Sequence, residues 1–245
     1  LTADRIINLE SWNHAVVQRS DAAVSMFLNG VLVASGTTAQ DYSENNALYI
    51  GYDYQDDSGG NSRWLGYMDQ IRISKGIARY GSTSLRTAQQ VVVSSNSDSQ
   101  VVTSNSTFGS GTQIWTTDSY TAVLVNGDEN FGGTTTATLS VGGSGTGPIS
   151  SGTVTLTNVS TVVQRQGISA FGANSYYVDG TVSSGTQGLY VQMSNNTALE
   201  NVHSFTAEGW WKFISYSGNR FLWNVQYDST NEWDYDLHGC YTESS

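Results

Sequence analysis

Three carboxylates alternate along Glu232-Trp233-Asp234-Tyr235-Asp236. On an extended strand that spacing puts all three on one face. Two carboxyl groups flanking a sugar bond are the minimum machinery for glycoside hydrolysis. Glu208, two residues before Trp210, is another carboxylate beside an aromatic ring. The alternative for these acids is a solvated strand face or a hairpin loop. A second chemistry lies in the loop Tyr52 to Asn61, where Asp53, Asp56 and Asp57 stand among amides and glycines. Calcium takes six to eight oxygens, which three carboxylates plus amide and backbone carbonyls can supply. The spacing is not that of an EF-hand and no Glu closes the loop, so the alternative is a solvated acidic loop. Asp41, Glu44 and Asn46 form a weaker second candidate.

Tyr52, Tyr54, Trp64, Tyr227 and Trp233 fall in or near predicted loops. Aromatic rings beside acids and amides suit a glycan, because rings stack on the apolar sugar face and polar groups take the hydroxyls. The alternative is sandwich core or packing between subunits. Trp12 and His14, at i and i+2, share one strand face; their apolar flanks favour a buried pair over a ligand site. The expected core anchors are Trp12, His14, Phe27, Ile71, Phe205 and Trp210. Asn105, Asn158 and Asn195 match the N-glycosylation pattern, which carries no weight in so Asn/Ser/Thr-rich a chain. Cys240 reads as a buried thiol, with an intermolecular bond as the alternative.

The elements that must position these groups are strands. Asn29-Gly30 sits between the apolar runs of Val24 to Val33, a strong hairpin signal because both residues tolerate positive φ. His14 to Val17, Leu48 to Tyr52, Tyr120 to Val125, Thr135 to Val141, Gly152 to Leu156, Ser175 to Val178, Leu189 to Met193, Phe205 to Phe213, Phe221 to Tyr227 and Trp233 to Leu237 read as further strands. Tyr67 to Ile73 alternates, predicting Met68, Gln70 and Arg72 on one face and Tyr67, Asp69, Ile71 and Ile73 on the other. Residues 86–117 are rich in Ser, Asn and Thr and read as an extended connector with one or two short edge strands. Many short strands with turn signals between them predict an all-β, two-sheet antiparallel jelly-roll sandwich.

Composition removes several classes. Of 245 residues, 21 are acidic and 10 basic, a net charge of −11. With Lys75 and Lys212 as its two lysines, the chain has no basic face for nucleic acid and no polybasic membrane anchor. No stretch approaches the roughly 18 apolar residues of a transmembrane helix. One cysteine forbids an intrachain disulfide, and three histidines are too scattered for a metal site. No cofactor is expected, calcium at Asp53, Asp56 and Asp57 excepted. The chain starts at Leu1 without a signal-peptide pattern, which reads as a processed product, a fragment or a piece of something longer.

Several patterns in combination resemble the laminin-G-like members of the concanavalin A-like lectin/glucanase jelly-roll superfamily. Ser11 to Val17 looks like the family's W-x-H-x-A-V strand, and Met26 to Ser35 like the hairpin that follows it. Leu48-Tyr49-Ile50-Gly51 is a third such pattern, and Leu65 to Tyr80 looks like the family's closing strand and tail. The family's opening half resembles later residues: Thr117 to Val125, Phe171 to Val178, and Phe205 to Phe213. The resemblance therefore places the family's second half at residues 1–86 and its first half at 118–245, with 87–117 as a Ser/Thr/Val-rich connector. Half a sandwich leaves core and sheet edges uncovered. Joining Ser245 to Leu1 would restore the family's order. Three arrangements fit: a self-closed permutant, exchange of halves with a neighbouring copy, or one period of a tandem array.

The run Glu232 to Asp236 also resembles the E-x-D-x-E strand of laminarinase-type relatives, with Asp at the last position instead of Glu. That is one methylene short, and the match ends with the run. Segments like Arg72 to Tyr80 are common in jelly rolls of phage structural proteins. The resemblance thus implies a non-enzymatic structural or adhesive module of an extracellular fibre or virion appendage, assembling with other copies by sheet completion. The acidic surface would keep such filaments from clumping. The alternative is a lectin-like module that binds surface glycans, with calcium as its cofactor; a glycoside hydrolase is the third reading.

Overall fold

The structure, a computed structural model, describes Ile7 and residues 9–39, 48–51, 64–80, 91–92, 101–102, 120–125, 136–139, 154–159, 162–171, 173–178, 188–193, 204–214, 222–225 and 237–238. The strands in the first segment are β1 (Trp12–Ser20), β2 (Ala23–Leu28), β3 (Val31–Thr37), β4 (Leu48–Ile50) and β5 (Gly66–Lys75). Next come β6 (Val91–Val92), β7 (Val101–Val102), β8 (Thr121–Val125), β9 (Thr136–Leu139), β10 (Val154–Val159) and β11 (Val162–Gln166). The last are β12 (Asn174–Val178), β13 (Gly188–Met193), β14 (Ser204–Phe213), β15 (Trp223–Val225) and β16 (Leu237–His238). Every pairing among the described residues is antiparallel. Among the described residues the regular structure is all strand, with no helix. Among the described residues no helix is long and apolar enough to cross a membrane.

One sheet has eight strands in the order β11-β12-β5-β14-β1-β2-β3, with β8 also pairing β5. A six-stranded sheet runs β16-β15-β4-β13-β10-β9, and β6 pairs β7 alone. Strands from the two ends of the chain therefore interleave. β5 is flanked along its length by β14, while its other edge is shared between β12 (Gly66 to Met68) and β8 (Ile71 to Ser74). The Asn29-Gly30 hairpin forms with both residues at positive φ, 50° and 78°. Asn29 adds side-chain bonds that sequence pattern does not reveal: its Oδ1 accepts from His14 N at 2.8 Å and its Nδ2 donates to Asn13 Oδ1 at 3.1 Å.

Two glycines are required by close approach. Gly66, at φ 151°, would place a Cβ 2.2 Å from the carbonyl oxygen of Lys212. Gly209 lies at the register shift between Glu208 and Trp210, where a Cβ would meet Trp211 Nε1 at 2.9 Å. That shift is a bulge, which re-aims the strand's side chains.

The two faces of the large sheet differ. One carries the main apolar core, including Val17, Met68, Ile71, Ile73, Phe205 and Trp211, joined by Ile50 of the six-stranded sheet. The other carries a smaller cluster of Leu124, Ala170 and Trp210, with Trp12 and Phe171 against it. The strict alternation predicted for Tyr67 to Ile73 does not hold. Met68, Ile71 and Ile73 all enter the main core, because Gln70 adopts φ 47° and resets the period between them. β11 was absent from the sequence reading; Val-Val-Gln-Arg-Gln is short and polar and becomes a strand by pairing with β12.

Candidate functional site

Polar chemistry in the described residues concentrates on the face opposite the main core. Register brings it together: Val16 faces Glu208, His14 faces Trp210 and Gln18 faces Thr206 across β1 and β14, while Glu208 faces Arg72 across β14 and β5. Directly opposed residues share a face and touch. Glu208 is fully buried, and its Oε1 accepts from Arg72 Nε at 2.8 Å and Nη2 at 2.7 Å. Its Oε2 accepts from the Tyr80 hydroxyl and lies 3.4 Å from His14 Nε2. The His14 ring stacks on Trp210 with centroids 4.9 Å apart.

Residues 76–80 strap this face. Gln18 and Tyr80 exchange two bonds, Gln18 Nε2 donating to Tyr80 O at 2.6 Å and Tyr80 N donating to Gln18 Oε1 at 2.9 Å. Arg79 N donates to Thr206 Oγ1 at 3.0 Å, and Arg79 Nε donates to Ser74 Oγ at 2.7 Å. The strap also carries the Tyr80 ring over Phe27, 5.7 Å between centroids. A second buried carboxylate, Asp69, marks the gap between β12 and β8. Its Oδ1 accepts from Gln70 N at 2.8 Å, and its Oδ2 accepts from Ala170 N at 2.9 Å and Phe171 N at 3.1 Å.

Burial alone raises the pKa of Glu208, but the Arg72 guanidinium, His14 and the Tyr80 hydroxyl together outweigh it and hold the carboxyl at about 2. Burial, reinforced by the Glu208 charge, pushes the Tyr80 phenol well above its usual range. A general acid needs a raised pKa, and Glu208 has the opposite. Both oxygens of Glu208 and both of Asp69 are engaged, so these carboxylates are suited to holding structure and not to proton transfer.

A folded-state pKa below the unfolded one contributes stability above the unfolded value and loses it as pH falls toward the folded value. Glu208 should therefore contribute roughly 3 kcal/mol at neutral pH, lost between about pH 5 and pH 2. Urea denaturation of wild type and Glu208→Gln at several pH values checks this. The stability gap between them should narrow steadily across that window; a constant gap would refute the assignment.

The sequence-derived candidates fare unequally. Trp64 is not a loop ring open to sugar: it is completely buried in the main core, edge-on to Trp211 and Phe213 with centroids 5.0 and 4.3 Å away. Its neighbours come from β14, so no local signal around Trp64 announces the burial. Tyr52, Tyr54, Tyr227, Trp233, Asp53, Asp56 and Asp57 lie outside the described residues, as do Asp41, Glu44, Asn46, Glu232, Asp234, Asp236 and Cys240. His14, Phe27, Ile71, Phe205 and Trp210 are buried, while Trp12 is half-buried at the margin of the smaller cluster. Among the described residues no group of three or more His, Cys, Asp or Glu side chains is placed to hold a metal. Sequence reasoning met Glu208 but not its partners Arg72 and Tyr80, which it saw only as parts of a strand and tail.

The matched pattern is the one that carries β1 to β5 and the strap as far as Arg79. Residues 1–79 match the family Laminin_G_3 of the concanavalin A-like lectin/glucanases superfamily. No curated protein and no solved structure matches the chain. The Laminin_G_3 segment supplies His14, Gln18, Arg72 and Arg79, whereas Glu208, Thr206 and Trp210 come from beyond it. The buried ion pair is thus made between the Laminin_G_3 segment and the rest of the chain. Laminin G-like domains are generally non-enzymatic.

Proposed function

We propose that this chain is a non-enzymatic jelly-roll module with a structural or adhesive role in an extracellular fibre or virion appendage, where copies join by sheet completion. The observation that carries the reading is the position of β5, a strand of the first segment with strands of residues 121–213 on both its edges. Neither segment completes the large sheet without the other. The structure closes that sheet within one chain. Assembly would use the same ladders between copies. Main-chain bonds would give affinity and the buried Phe and Trp side chains would give specificity. A head-to-tail contact that does not close on itself yields a filament.

Val17 faces Ala207 across the β1–β14 ladder, which makes the test direct. Two full-length chains in a Cys240→Ser background, one with Val17→Cys and the other with Ala207→Cys, are refolded together and oxidised. Exchange between copies gives a disulfide-linked dimer on a non-reducing gel, with oligomers that increase with concentration in sedimentation. Monomers at every concentration, with no cross-link, would remove the reading.

A further inference from the structure

Asn29-Gly30 closes the β2–β3 hairpin as a two-residue turn, with Leu28 facing Val31 across it. Three hydrogen bonds tie Asn29 to β1. Its backbone N–H donates to His14 O at 2.8 Å, its Oδ1 accepts from His14 N at 2.8 Å, and its Nδ2 donates to Asn13 Oδ1 at 3.1 Å. Asn13 is fully buried, and its own Nδ2 donates to Ser11 O at 2.9 Å, so its oxygen is the atom turned toward Asn29. Asn29 itself is half-buried, on a hairpin at the edge of the large sheet.

We propose that Asn29 is a site of spontaneous deamidation which this clamp holds back, and that the modification releases the hairpin from β1. The chemistry belongs to the Asn-Gly pair. The Gly30 backbone nitrogen attacks Asn29 Cγ and gives up its proton; the Cγ–Nδ2 bond breaks, and ammonia leaves with that proton. A five-membered succinimide remains. One water then opens it at either carbonyl, leaving aspartate or isoaspartate and one more negative charge. No oxidant or reductant takes part. Glycine suits the attack because no Cβ obstructs its nitrogen. The fold opposes it, since both polar atoms of the amide are held and ring closure removes Nδ2 and its bond to Asn13. An edge hairpin opens at less cost than the whole fold, so the reaction proceeds through openings of β2 and β3. The product cannot restore the clamp. Aspartate has no donor, so its second oxygen would face the Asn13 oxygen, acceptor against acceptor. Isoaspartate adds a backbone methylene to a two-residue turn whose length sets the β2–β3 register. β1 to β3 are neighbours in sequence, so the site does not rest on the assembly proposed above.

Asn126-Gly127 repeats the pair and serves as the reference in the unfolded chain. The full chain is incubated at mildly alkaline pH, with and without guanidinium chloride, and peptide mass spectrometry follows deamidation at each asparagine. In denaturant Asn29 and Asn126 should react at similar rates. In the folded chain Asn29 should react at least about tenfold more slowly than in denaturant, the scale of its two side-chain hydrogen bonds. Asn13→Ala should speed the folded reaction and leave the rate in denaturant unchanged. In Asn29→Asp, which mimics the product, hydrogen exchange at β2 and β3 should quicken about tenfold while β14 and β5 exchange as in wild type. Equal Asn29 rates with and without denaturant, no reaction at Asn29 in denaturant while Asn126 reacts, a folded rate untouched by Asn13→Ala, or hairpin exchange unchanged in Asn29→Asp would each overturn the proposal. The wild-type rates decide by themselves if either variant fails to fold.

Discussion

Arg72→Met is expected to lower the unfolding free energy by roughly 3–5 kcal/mol at pH 7, because it leaves a buried carboxylate without its cation. Arg72 supplies both nitrogens that meet Glu208 Oε1, and Glu208 has no exposed surface through which water could replace them. With the guanidinium gone, burial dominates and the Glu208 pKa should rise. The sign of the pH effect follows. Wild-type Glu208 binds its proton only near pH 2, whereas the variant's carboxyl would bind one at much higher pH. The variant's deficit should therefore shrink as pH falls below neutrality. Urea melts at pH 7 and pH 4 measure both effects. The double variant Arg72→Met with Glu208→Gln should recover much of the loss, since no unpaired charge remains buried. A single variant within 1 kcal/mol of wild type at pH 7 would mean that the pair is not holding the two segments together.

Trp64→Ala should cost a similar amount, roughly 3–5 kcal/mol, by a different mechanism. The indole is fully buried among Trp211 and Phe213 and packs beside two glycines whose missing Cβ atoms make room for it. A Cβ on Gly51 would lie 3.2 Å from Trp64 Cβ, and one on Gly66 would lie 3.3 Å from Trp64 Cζ2. Such a site cannot collapse easily, so the cavity term should be large. Trp64→Phe should cost distinctly less, because the phenyl ring refills part of the cavity. A stability loss below 1 kcal/mol for Trp64→Ala would restore the view of Trp64 as a surface ring.

Both predictions depend on contacts that span the chain, and this explains what could be read in advance. The Asn29-Gly30 turn was legible because two adjacent residues with tolerance for positive φ are enough to specify it. The β14 strand was legible because the apolar run Phe205 to Phe213 is long and dense. The Laminin_G_3 pattern was legible because Trp12, His14, the hairpin and the closing strand keep family spacing over residues 1–79. β11 was not, because its strand state comes from its neighbour and not from its own residues. The faces of β5 were misassigned after Asp69 because Gln70 takes a positive φ that no local signal predicts.

By itself, the sequence determined that this is an all-β protein with strands and hairpins near their observed places, since alternation, β-branched runs and turn residues act over a few positions. It also determined that the chain is acidic and poor in lysine, which limits its partners whatever the fold. Only the tertiary structure decided which side chains meet. Glu208 and Arg72 are 136 residues apart, and Trp64 packs on Trp211. Strand register between distant segments sets each of these contacts. Register is chosen by the burial of whole sheet faces, where a slip of one residue would turn every side chain to the wrong side.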